Sequence, residues 1–202
     1  MKLNIQLDPF QNFLVSLERA ELKSQSIGLE NHNAMTLSTV KNNKPSSRNV
    51  LFRGLVRGGF SFHTHYRGRK GSQILENNNV SAHFYWPYLD HQISIIGQAH
   101  KLTTQESDLY FSKRHRLSQI GAWASEQSQI LNSREEFMNR LQFFENKFKD
   151  DQIIPRPPEW GGFHIIPTEI EFWFDSPARL HERYVYSREN EQSEWNRFMR
   201  YP

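Results

Sequence analysis

The spacing of apolar and polar residues predicts one helix, a series of strands, further helices and then strands again. Near the start of the chain, Asp8 can cap a helix and Pro9 suits its first turn. The apolar residues that follow fall on one face, which comprises Phe10, Phe13, Leu14 and Leu17. We therefore predict a helix that begins at Pro9.

Five segments after this helix are rich in β-branched, aromatic and other apolar residues, which favours strands. They are residues 34–40, 46–53, 60–64, 80–86 and 91–102. Segments with the composition of turns lie between them, at residues 42–45, 58–59 and 87–90. Connections this short favour antiparallel neighbours, because a parallel crossover needs roughly a dozen residues or more.

Two possible capping boxes predict helices in the second half of the chain. The first, at residues 103–106, would open a helix through about Lys113. The second, at residues 133–136, would open a helix with a stripe formed by Phe137, Leu141, Phe144 and Phe148. After a stiff proline-rich segment, strands are predicted at residues 160–166, 169–174, 182–187 and 194–200.

This order of elements predicts an α+β fold that is mainly β, namely an antiparallel split β-barrel with flanking helices. The proline-rich segment is too short, and the tail too small, to argue for a second domain. We therefore predict one domain over residues 1–202, with a helical insertion at about 104–149.

Composition narrows the class of protein. The 202 residues suffice for one hydrophobic core, and 37% hydrophobic with 23% charged residues is typical of a globular chain. Cysteine is absent, which excludes disulfides, thiolate metal sites and cysteine nucleophiles. No secretory signal or membrane-spanning run is apparent, so a cytoplasmic location without a membrane partner is expected. A net charge of +3 is too small to indicate a nucleic-acid partner.

The distribution of charge is more informative than its sum. Residues 31–75 contain no Asp or Glu, yet they contain Lys41, Lys44, Arg48, Arg53, Arg57, Arg67, Arg69 and Lys70. This stretch is either a solvated basic face or a site for a multiply charged anion such as phosphate. Residues 67–71 precede a short helix-like stretch at 72–76, where free backbone N–H groups and cations would converge on a phosphate.

Several common functional motifs are missing from the sequence. It contains no dinucleotide-binding G-x-G-x-x-G, no phosphate-binding P-loop and no G-x-S-x-G nucleophile elbow. His63 and His65 would share one face of a strand as a possible metal pair. No carboxylate lies nearby in sequence to complete a ligand set, so we predict no metal site.

The C-terminal segment carries a more specific pattern. Ile170-Glu171-Phe172-Trp173 is followed, after five residues, by Arg179-Leu180-His181-Glu182-Arg183. At alternate positions, Arg179, His181 and Arg183 would share one face of a strand, which suits an anionic or carbonyl-bearing ligand. The alternative is a solvated strand whose arginines pair with Glu171 and Glu182.

Four segments together resemble one known family. They are residues 171–173 with 179–183, residues 118–128 (S-Q-I-G-A-W-A-S-E-Q-S), residues 48–53 (R-N-V-L-F-R) and residues 160–163 (W-G-G-F). Their order and spacing resemble the pyridoxamine 5'-phosphate oxidase family, from about Asp8 to Pro202. The resemblance implies a split-barrel homodimer with FMN at the subunit interface. It also implies oxidation of pyridoxamine or pyridoxine 5'-phosphate to pyridoxal 5'-phosphate, with O2 as acceptor and H2O2 as product.

The resemblance also implies two sets of site residues by position. The FMN set is Arg48, Val50, Leu51, His63, Thr64, Arg69, Lys70, Gln92, Gln127, Ser128, Trp173 and Arg183. The substrate set is Arg53, Tyr110, Arg114, Ser118, Arg179 and His181. The first four of these would hold the substrate phosphate, and the last two, as the catalytic pair, would lie against the pyridine ring and its reacting carbon. Tyr110, Arg114 and Ser118 would share one face if a helix continued to Ser118.

The sequence departs from the family pattern in three places. Arg53 replaces the usual lysine, and His63 replaces a common tyrosine beside the flavin. Many members also have an earlier segment, with Arg and Tyr, that closes over the substrate, whereas this chain begins close to the first helix. Loss of that lid is expected to weaken substrate enclosure more than FMN binding.

Other functions remain open on the sequence. A related flavin oxidase with another substrate, such as the phenazine-tailoring relatives, would share the barrel and much of the flavin site. Tyr110, Arg114 and residues 118–123 favour the pyridoxal interpretation, because they would form the substrate-phosphate pocket. A non-enzymatic carrier of FMN or pyridoxal phosphate would differ from both enzymes in having no turnover under oxygen.

Overall fold

The computed structural model describes residues 3–202, and a nine-stranded antiparallel sheet forms the centre of this part of the chain. The strands are β1 (Ala34–Lys41), β2 (Lys44–Leu51), β3 (Leu55–Val56), β4 (Gly59–His65), β5 (Asn79–Trp86), β6 (His91–Lys101), β7 (Trp160–Phe174), β8 (Glu182–Ser187) and β9 (Asn196–Met199). The helices are α1 (Pro9–Ser26), α2 (Arg69–Glu76), α3 (Thr104–Ser112), α4 (Arg116–Ala124) and α5 (Arg134–Lys147). The predicted α+β, mainly β architecture is confirmed.

The strand order brings distant segments together. The main path is β2-β1-β5-β6-β7-β4-β3, and β8 and β9 continue from β7. β7 pairs with β6 on one side and, through its two halves, with β4 and β8 on the other. β7 therefore connects the two parts of the sheet that carry the predicted site residues.

The first helix forms as predicted. The Asp8 carboxylate accepts hydrogen bonds from the backbone N–H groups of Phe10 (2.8 Å) and Gln11 (3.4 Å). Phe13 is fully buried, and its ring lies 4.8 Å from that of Phe60 in the main core. Leu14 is 47% exposed, so its assignment to the buried face is wrong. Phe13 points into the core, and Leu14, the next residue, is rotated by about 100° around the helix axis toward solvent.

The prediction of two strands at residues 160–166 and 169–174 is wrong, because β7 continues through Pro167. The pairing of β6 with β7 shifts register between Ile96 and Gly97, which lies opposite the proline. Such an irregularity accommodates a residue that cannot donate to the ladder. A Cβ at position 97 would collide with the carbonyl oxygen of Ile166, so glycine permits this close approach.

The helical segment between β6 and β7 contains α3, α4 and α5. The capping box at Thr103 and Glu106 is confirmed. Ser133 caps α5 by accepting a bond from the N–H of Glu136 at 3.0 Å. The Glu136 carboxylate instead accepts from Asn132 at 3.2 Å, so the reciprocal half of the second box is wrong. Within residues 3–202, no helix has the length and apolar character needed to span a bilayer.

Candidate functional site

A cleft of about 520 Å³ lies beside β2, β4, α2, α3 and α4. Ten residues of the two predicted sets line it: Val50, Leu51, Arg53, His63, Thr64, Lys70, Tyr110, Arg114, Ser118 and Gln127. The structure thus brings together residues that are up to 77 positions apart in sequence. Members of both predicted sets share this cleft, so two ligands, or two parts of one site, would meet here.

Positive charge dominates the walls of the cleft. Arg53, Lys70 and Arg114 line it, and its lining residues include no carboxylate. Burial, and then the charge of Arg48, lowers the pKa of Lys70 to about 8. The pKa of Arg114 is also lowered, chiefly by burial and further by Arg53, against an opposing effect of Tyr110. Cations without a compensating acid favour an anionic ligand.

Lys70 is held in place by a small polar network. Its Nζ donates to Thr64 Oγ1 at 2.9 Å and to Gln127 Oε1 at 2.8 Å. Thr64 Oγ1 also donates to Gln127 Oε1, at 2.8 Å. The network joins β4, the first turn of α2 and the segment after α4, which fixes the ammonium group at the edge of the cleft.

Arg48 and Arg69 stand beside Lys70 but do not line the cleft. The Arg48 guanidinium donates to Thr39 Oγ1 at 2.6 Å and Ser46 Oγ at 2.7 Å. Burial lowers the pKa of Arg48 and the nearby charge of Arg69 lowers it further. Arg48, Arg69 and Lys70, which we call the α2 cations, are therefore close enough to influence one another.

The α2 cations meet the first turn of a helix. The sequence indicated a helix-like stretch from Ser72, whereas α2 begins at Arg69 and includes Lys70 in its first turn. The N-cap residue is Gly68, which has no side chain that could accept hydrogen bonds from the N–H groups of this turn. The first N–H groups of a helix lack intrahelical partners and attract anions. This end of α2 is suited to a phosphate group.

Parallel rings line the opposite part of the cleft. The His63 imidazole lies 3.7 Å from the Tyr110 ring, centroid to centroid, at an interplanar angle of 11°. It lies 5.3 Å from the Trp160 ring at 15°. The Arg114 guanidinium stands 4.6 Å from the centroid of the Trp160 ring. These flat groups form a wall of near-parallel rings with the Arg114 guanidinium over the face of Trp160.

Three buried polar atoms in this wall have no hydrogen-bond partner within the described chain. They are Nδ1 and Nε2 of His63 and one terminal nitrogen, Nη1, of Arg114. An unpaired buried polar group costs about 1–3 kcal/mol, so such groups in a cleft indicate a ligand that satisfies them. Burial, then Arg114 and Arg53, lowers the pKa of His63 to about 4, so the ring is neutral near pH 7.

The helix predicted through about Lys113 forms, but it does not continue to Ser118, so the condition for one shared helix face is not met. α3 ends at Ser112 and α4 begins at Arg116. The N–H groups of Lys113 and Arg114 bond to carbonyls three residues earlier, in the tightened geometry of a helix end. Tyr110, Arg114 and Ser118 nevertheless line the same cleft, because the chain bends around it.

A second group of predicted residues lies on another part of the sheet. Gln92 of β6 is paired with Trp173 of β7, which is paired with Arg183 of β8. The His181 ring lies 4.5 Å from the Trp173 ring. We call Gln92, Trp173, Arg179, His181 and Arg183 the β6–β8 group. It does not line the cleft.

The two groups lie toward opposite ends of β7. Trp160 lines the cleft and Trp173 belongs to the β6–β8 group. These tryptophans are thirteen positions apart along the strand, which is about 40 Å of strand path. Ser128 lines a neighbouring concavity of about 330 Å³ beside α5, which shares Ser125 and Gln127 with the cleft. One copy of the chain therefore does not bring all members of the predicted FMN and substrate sets together.

The prediction that Arg179, His181 and Arg183 share one strand face is wrong. Arg179 lies in a tight turn over Pro177–Arg179, where its φ of 61° follows a φ of 57° at Ala178. Two successive left-handed residues after Pro177 turn the chain before β8, and they separate Arg179 from the strand. The sequence also allowed the arginines of this segment to pair with Glu171 and Glu182. In the structure, Nε of Arg183 donates to Oε1 of Glu171 at 2.9 Å.

Some residues that line the cleft were not in either predicted set: Asn49, His65, Gly121, Ala122, Ser125 and Trp160. Burial, then Lys70 and Arg114, lowers the pKa of His65 to about 4. A sequence signal existed for each of them, because five lie in the segments that resemble the family and His65 alternates with His63. The position of a residue within such a segment did not show that its side chain would line the cleft.

Comparisons with known proteins point to one family. Residues 23–142 match the family described as pyridoxamine 5'-phosphate oxidase. Residues 160–202 match the family described as the pyridoxine 5'-phosphate oxidase C-terminal dimerisation region. A pyridoxine/pyridoxamine 5'-phosphate oxidase of Bdellovibrio bacteriovorus is 44% identical over 200 residues, which covers 98% of this chain and 99% of the relative. One from Nostoc punctiforme is 44% identical over 93% of this chain and 86% of the relative.

Solved structures agree on the fold. PhzG from Burkholderia lata, in complex with tetrahydrophenazine-1-carboxylic acid, superposes with a TM-score of 0.82 and 29% identity, covering 94% of this chain and 92% of that one. A pyridoxamine 5'-phosphate oxidase-related, FMN-binding protein from Nostoc punctiforme has a TM-score of 0.73 at 18% identity, covering 97% and 99%. The predicted fold class is confirmed.

Proposed function

The chain belongs to the pyridoxamine 5'-phosphate oxidase family, and we propose that it is an FMN-dependent enzyme that oxidises pyridoxamine or pyridoxine 5'-phosphate to pyridoxal 5'-phosphate, with O2 as acceptor and H2O2 as product. The observation that carries this proposal is the cleft itself. It combines cations, planar rings and unpaired buried polar atoms, with no carboxylate among its lining residues. Those properties match ligands that are both aromatic and phosphorylated.

The residues present fit FMN. Its phosphate would be held by the α2 cations and by the open N–H groups at the start of α2. Thr64 and Gln127 lie beside Lys70 and would bind the polar parts of the same cofactor. When bound, FMN supplies the redox chemistry, because its ring accepts a hydride and is reoxidised by dioxygen.

The substrate phosphate fits the opposite part of the cleft. Arg53, Tyr110, Arg114 and Ser118 line it together. The unpaired Nη1 of Arg114 offers a donor that the protein itself does not use. A guanidinium can bind two phosphate oxygens at once, so Arg53 in place of the usual lysine preserves the charge and adds a second donor.

A second copy of the chain would complete the site. The β6–β8 group carries the remaining predicted contacts, and residues 160–202 match the dimerisation region of the family. In the proposed homodimer, the partner's β6–β8 group faces the cleft and closes it over the flavin and the substrate ring. This arrangement supports a role for Arg179 and His181 at the reacting carbon, although they lie outside the cleft of their own chain.

The protein's own contribution is binding, orientation and proton handling. The α2 cations and Arg114 would hold two phosphates, which would orient the substrate's C4' carbon relative to the flavin. The ring wall of His63, Tyr110 and Trp160 would shield one side of the bound ligands from water. Hydride loss from C4' needs no covalent nucleophile, so the absence of cysteine does not limit the reaction.

The test is an absorbance spectrum of the purified protein, followed by anaerobic addition of pyridoxamine 5'-phosphate. We expect a flavin band near about 450 nm that bleaches on mixing, because substrate reduces bound FMN. A protein that binds no added FMN would contradict the proposal. A flavin band that persists would retain the cofactor and reject this substrate.

The structural similarity to PhzG supports one second candidate, a related flavin oxidase that acts on a reduced phenazine. The same anaerobic experiment separates the two. Bleaching by tetrahydrophenazine-1-carboxylic acid, and not by pyridoxamine 5'-phosphate, would favour the second candidate. Arg53, Tyr110, Arg114 and Ser118, which we propose as the phosphate ligands, favour the first candidate, because that carboxylic acid carries no phosphate.

A further inference from the structure

His181 is in contact with a carboxylate that neither predicted set contains. Its Nδ1 lies 2.9 Å from Oδ1 of Asp175, which belongs to the turn between β7 and β8. The backbone N–H of Asp175 donates to the carbonyl of Asp90 at 2.9 Å, which anchors this turn. The Trp173 ring packs against the imidazole at 4.5 Å. The histidine is thus held by an aromatic ring and by an acid.

The contact with Asp175 assigns the ring proton of neutral His181. A carboxylate oxygen can only accept, so the 2.9 Å approach of Asp175 Oδ1 to Nδ1 favours a proton on Nδ1. The N–H of Ser176 also points at Nδ1, from 3.3 Å, and would need a lone pair there. The shorter, charge-assisted contact is the stronger of the two. Neutral His181 therefore carries its proton on Nδ1 and its lone pair on Nε2.

Nε2 of His181 is left available by this arrangement. Within residues 3–202 it takes part in no hydrogen bond of the protein. The side chain is 21% exposed, so a ligand brought against the β6–β8 group can reach it. A histidine whose other nitrogen is bonded to a carboxylate is fixed in ring orientation and tautomer, as in the acid-oriented histidines of many active sites.

We propose that Asp175 is a positioning residue that holds His181 with Nε2 free to accept the proton released by an alcohol substrate. This inference rests on the proposed function and concerns one of its two substrates. When pyridoxine 5'-phosphate is oxidised, a hydride with its two electrons passes from C4' to the flavin. The hydroxyl proton passes to Nε2 of His181, and the C4'–O bond becomes the carbonyl of the aldehyde. The imidazolium, stabilised by Asp175, then returns the proton to water.

The amine substrate makes a smaller demand on this pair. When neutral pyridoxamine 5'-phosphate loses a hydride from C4', the nitrogen lone pair forms the C=N bond and gives an iminium ion. No proton has to leave nitrogen in that step, and water later hydrolyses the product to the aldehyde and ammonium. Asp175 and His181 should therefore affect alcohol oxidation much more than amine oxidation.

The tautomer can be tested without any turnover, by nitrogen-15 NMR of the histidine rings in the purified protein at pH 7.5. The His181→Gln variant identifies the His181 signals by their disappearance. We expect the Nδ1–H form in the parent protein and mainly the Nε2–H form, which is the usual one for a free imidazole, in Asp175→Ala. The proposal is overturned if the parent already has the Nε2–H form, or if Asp175→Ala leaves the tautomer unchanged.

The second measurement is the anaerobic rate of flavin reduction at saturating substrate. In Asp175→Ala we expect a loss of about 30-fold with pyridoxine 5'-phosphate and less than about threefold with pyridoxamine 5'-phosphate. Asp175→Glu should recover part of the rate of flavin reduction by pyridoxine 5'-phosphate. Asp150→Ala serves as the matched control, because Asp150 is an exposed acid that belongs neither to the cleft nor to the β6–β8 group. Equal losses with both substrates would reduce Asp175 to a structural role and overturn the proposal. If neither substrate reduces the parent protein, the proposed function fails while NMR still decides the tautomer.

Discussion

The imidazole of His63 and the phenol ring of Tyr110 lie parallel, 3.7 Å apart, at the wall of the cleft. The contact joins β4 to α3, and it leaves both ring nitrogens of His63 buried without a partner in residues 3–202. A ring held by stacking alone is free to offer its polar atoms to a ligand. The unpaired nitrogens make His63 unfavourable for the stability of the ligand-free protein. The same nitrogens are available to a ligand that enters the cleft.

Replacing His63 should therefore separate stability from binding. His63→Phe keeps the stacked ring and removes two unsatisfied nitrogens, so we expect the ligand-free protein to be more stable by about 1 kcal/mol. Affinity for FMN or substrate should fall about tenfold, since one hydrogen bond to a charged group is lost. Thermal unfolding and isothermal titration measure the two effects. A lower melting temperature with unchanged affinity for both ligands would contradict this account.

Acid should destabilise the protein through His63 and His65. Burial and neighbouring cations lower the pKa of each ring to about 4, compared with 6.5 in the unfolded chain. As the pH falls from about 6.5 to 4, the unfolded state takes up protons that the folded state does not, so the free energy of unfolding decreases. Each histidine would contribute on the order of 2–3 kcal/mol.

Urea unfolding between pH 7 and pH 4 tests this linkage. The double variant His63→Phe/His65→Gln should lose less stability over that range than the parent protein. Parallel stability curves for the two proteins would show that these rings are not the source of the acid sensitivity.

Arg114 should contribute to the binding of the substrate rather than of the cofactor. Arg114→Met keeps most of the side-chain length but removes the charge and the unpaired Nη1. We expect the KM for pyridoxamine 5'-phosphate to rise about 30-fold or more, with FMN content unchanged, because a charged hydrogen bond contributes about 2 kcal/mol or more. Lys113→Met, at the exposed neighbouring position, is the matched control. Loss of FMN in Arg114→Met would assign the arginine to the cofactor instead.

Lys70 should contribute to the affinity for FMN, and this contribution should decrease as the pH rises. Because burial and Arg48 lower the pKa of Lys70 to about 8, the free protein loses this charge as the pH rises through 8. FMN affinity should thus decrease between pH 7 and pH 9, and Lys70→Met should bind weakly at both values. Quenching of flavin fluorescence measures the affinity, and Lys23→Met, in the last turn of α1, is the control for loss of one lysine. An unchanged pH dependence in Lys70→Met would reject this role.

Local signals predicted most of the elements. Asp8, Thr103 and Ser133 marked helix starts because a side-chain cap acts within three residues. Short turns between apolar runs predicted antiparallel pairing, which all the strand pairs confirm. The charge pattern of residues 31–75 predicted a basic region, and part of it does line the cleft.

The errors came from features that only tertiary contacts decide. β7 continues through Pro167 because the neighbouring strand shifts register, which no local pattern in residues 160–174 reveals. α4 was not predicted, because the break between α3 and α4 contains no glycine or proline that would mark the start of another helix. The left-handed turn at Ala178 and Arg179 was equally hidden, because neither residue type favours that conformation.

The length of β7 has a genetic consequence if the proposed dimer forms. Each copy of the strand would serve two sites, through Trp160 in the cleft of its own chain and through Trp173 in that of its partner. A dimer of one Arg114→Met chain and one His181→Gln chain would gather both defects in a single site and leave the other site intact. Two defective alleles should then complement each other within one gene, restoring up to half of the activity per mixed dimer when low concentrations of pyridoxine 5'-phosphate are the substrate.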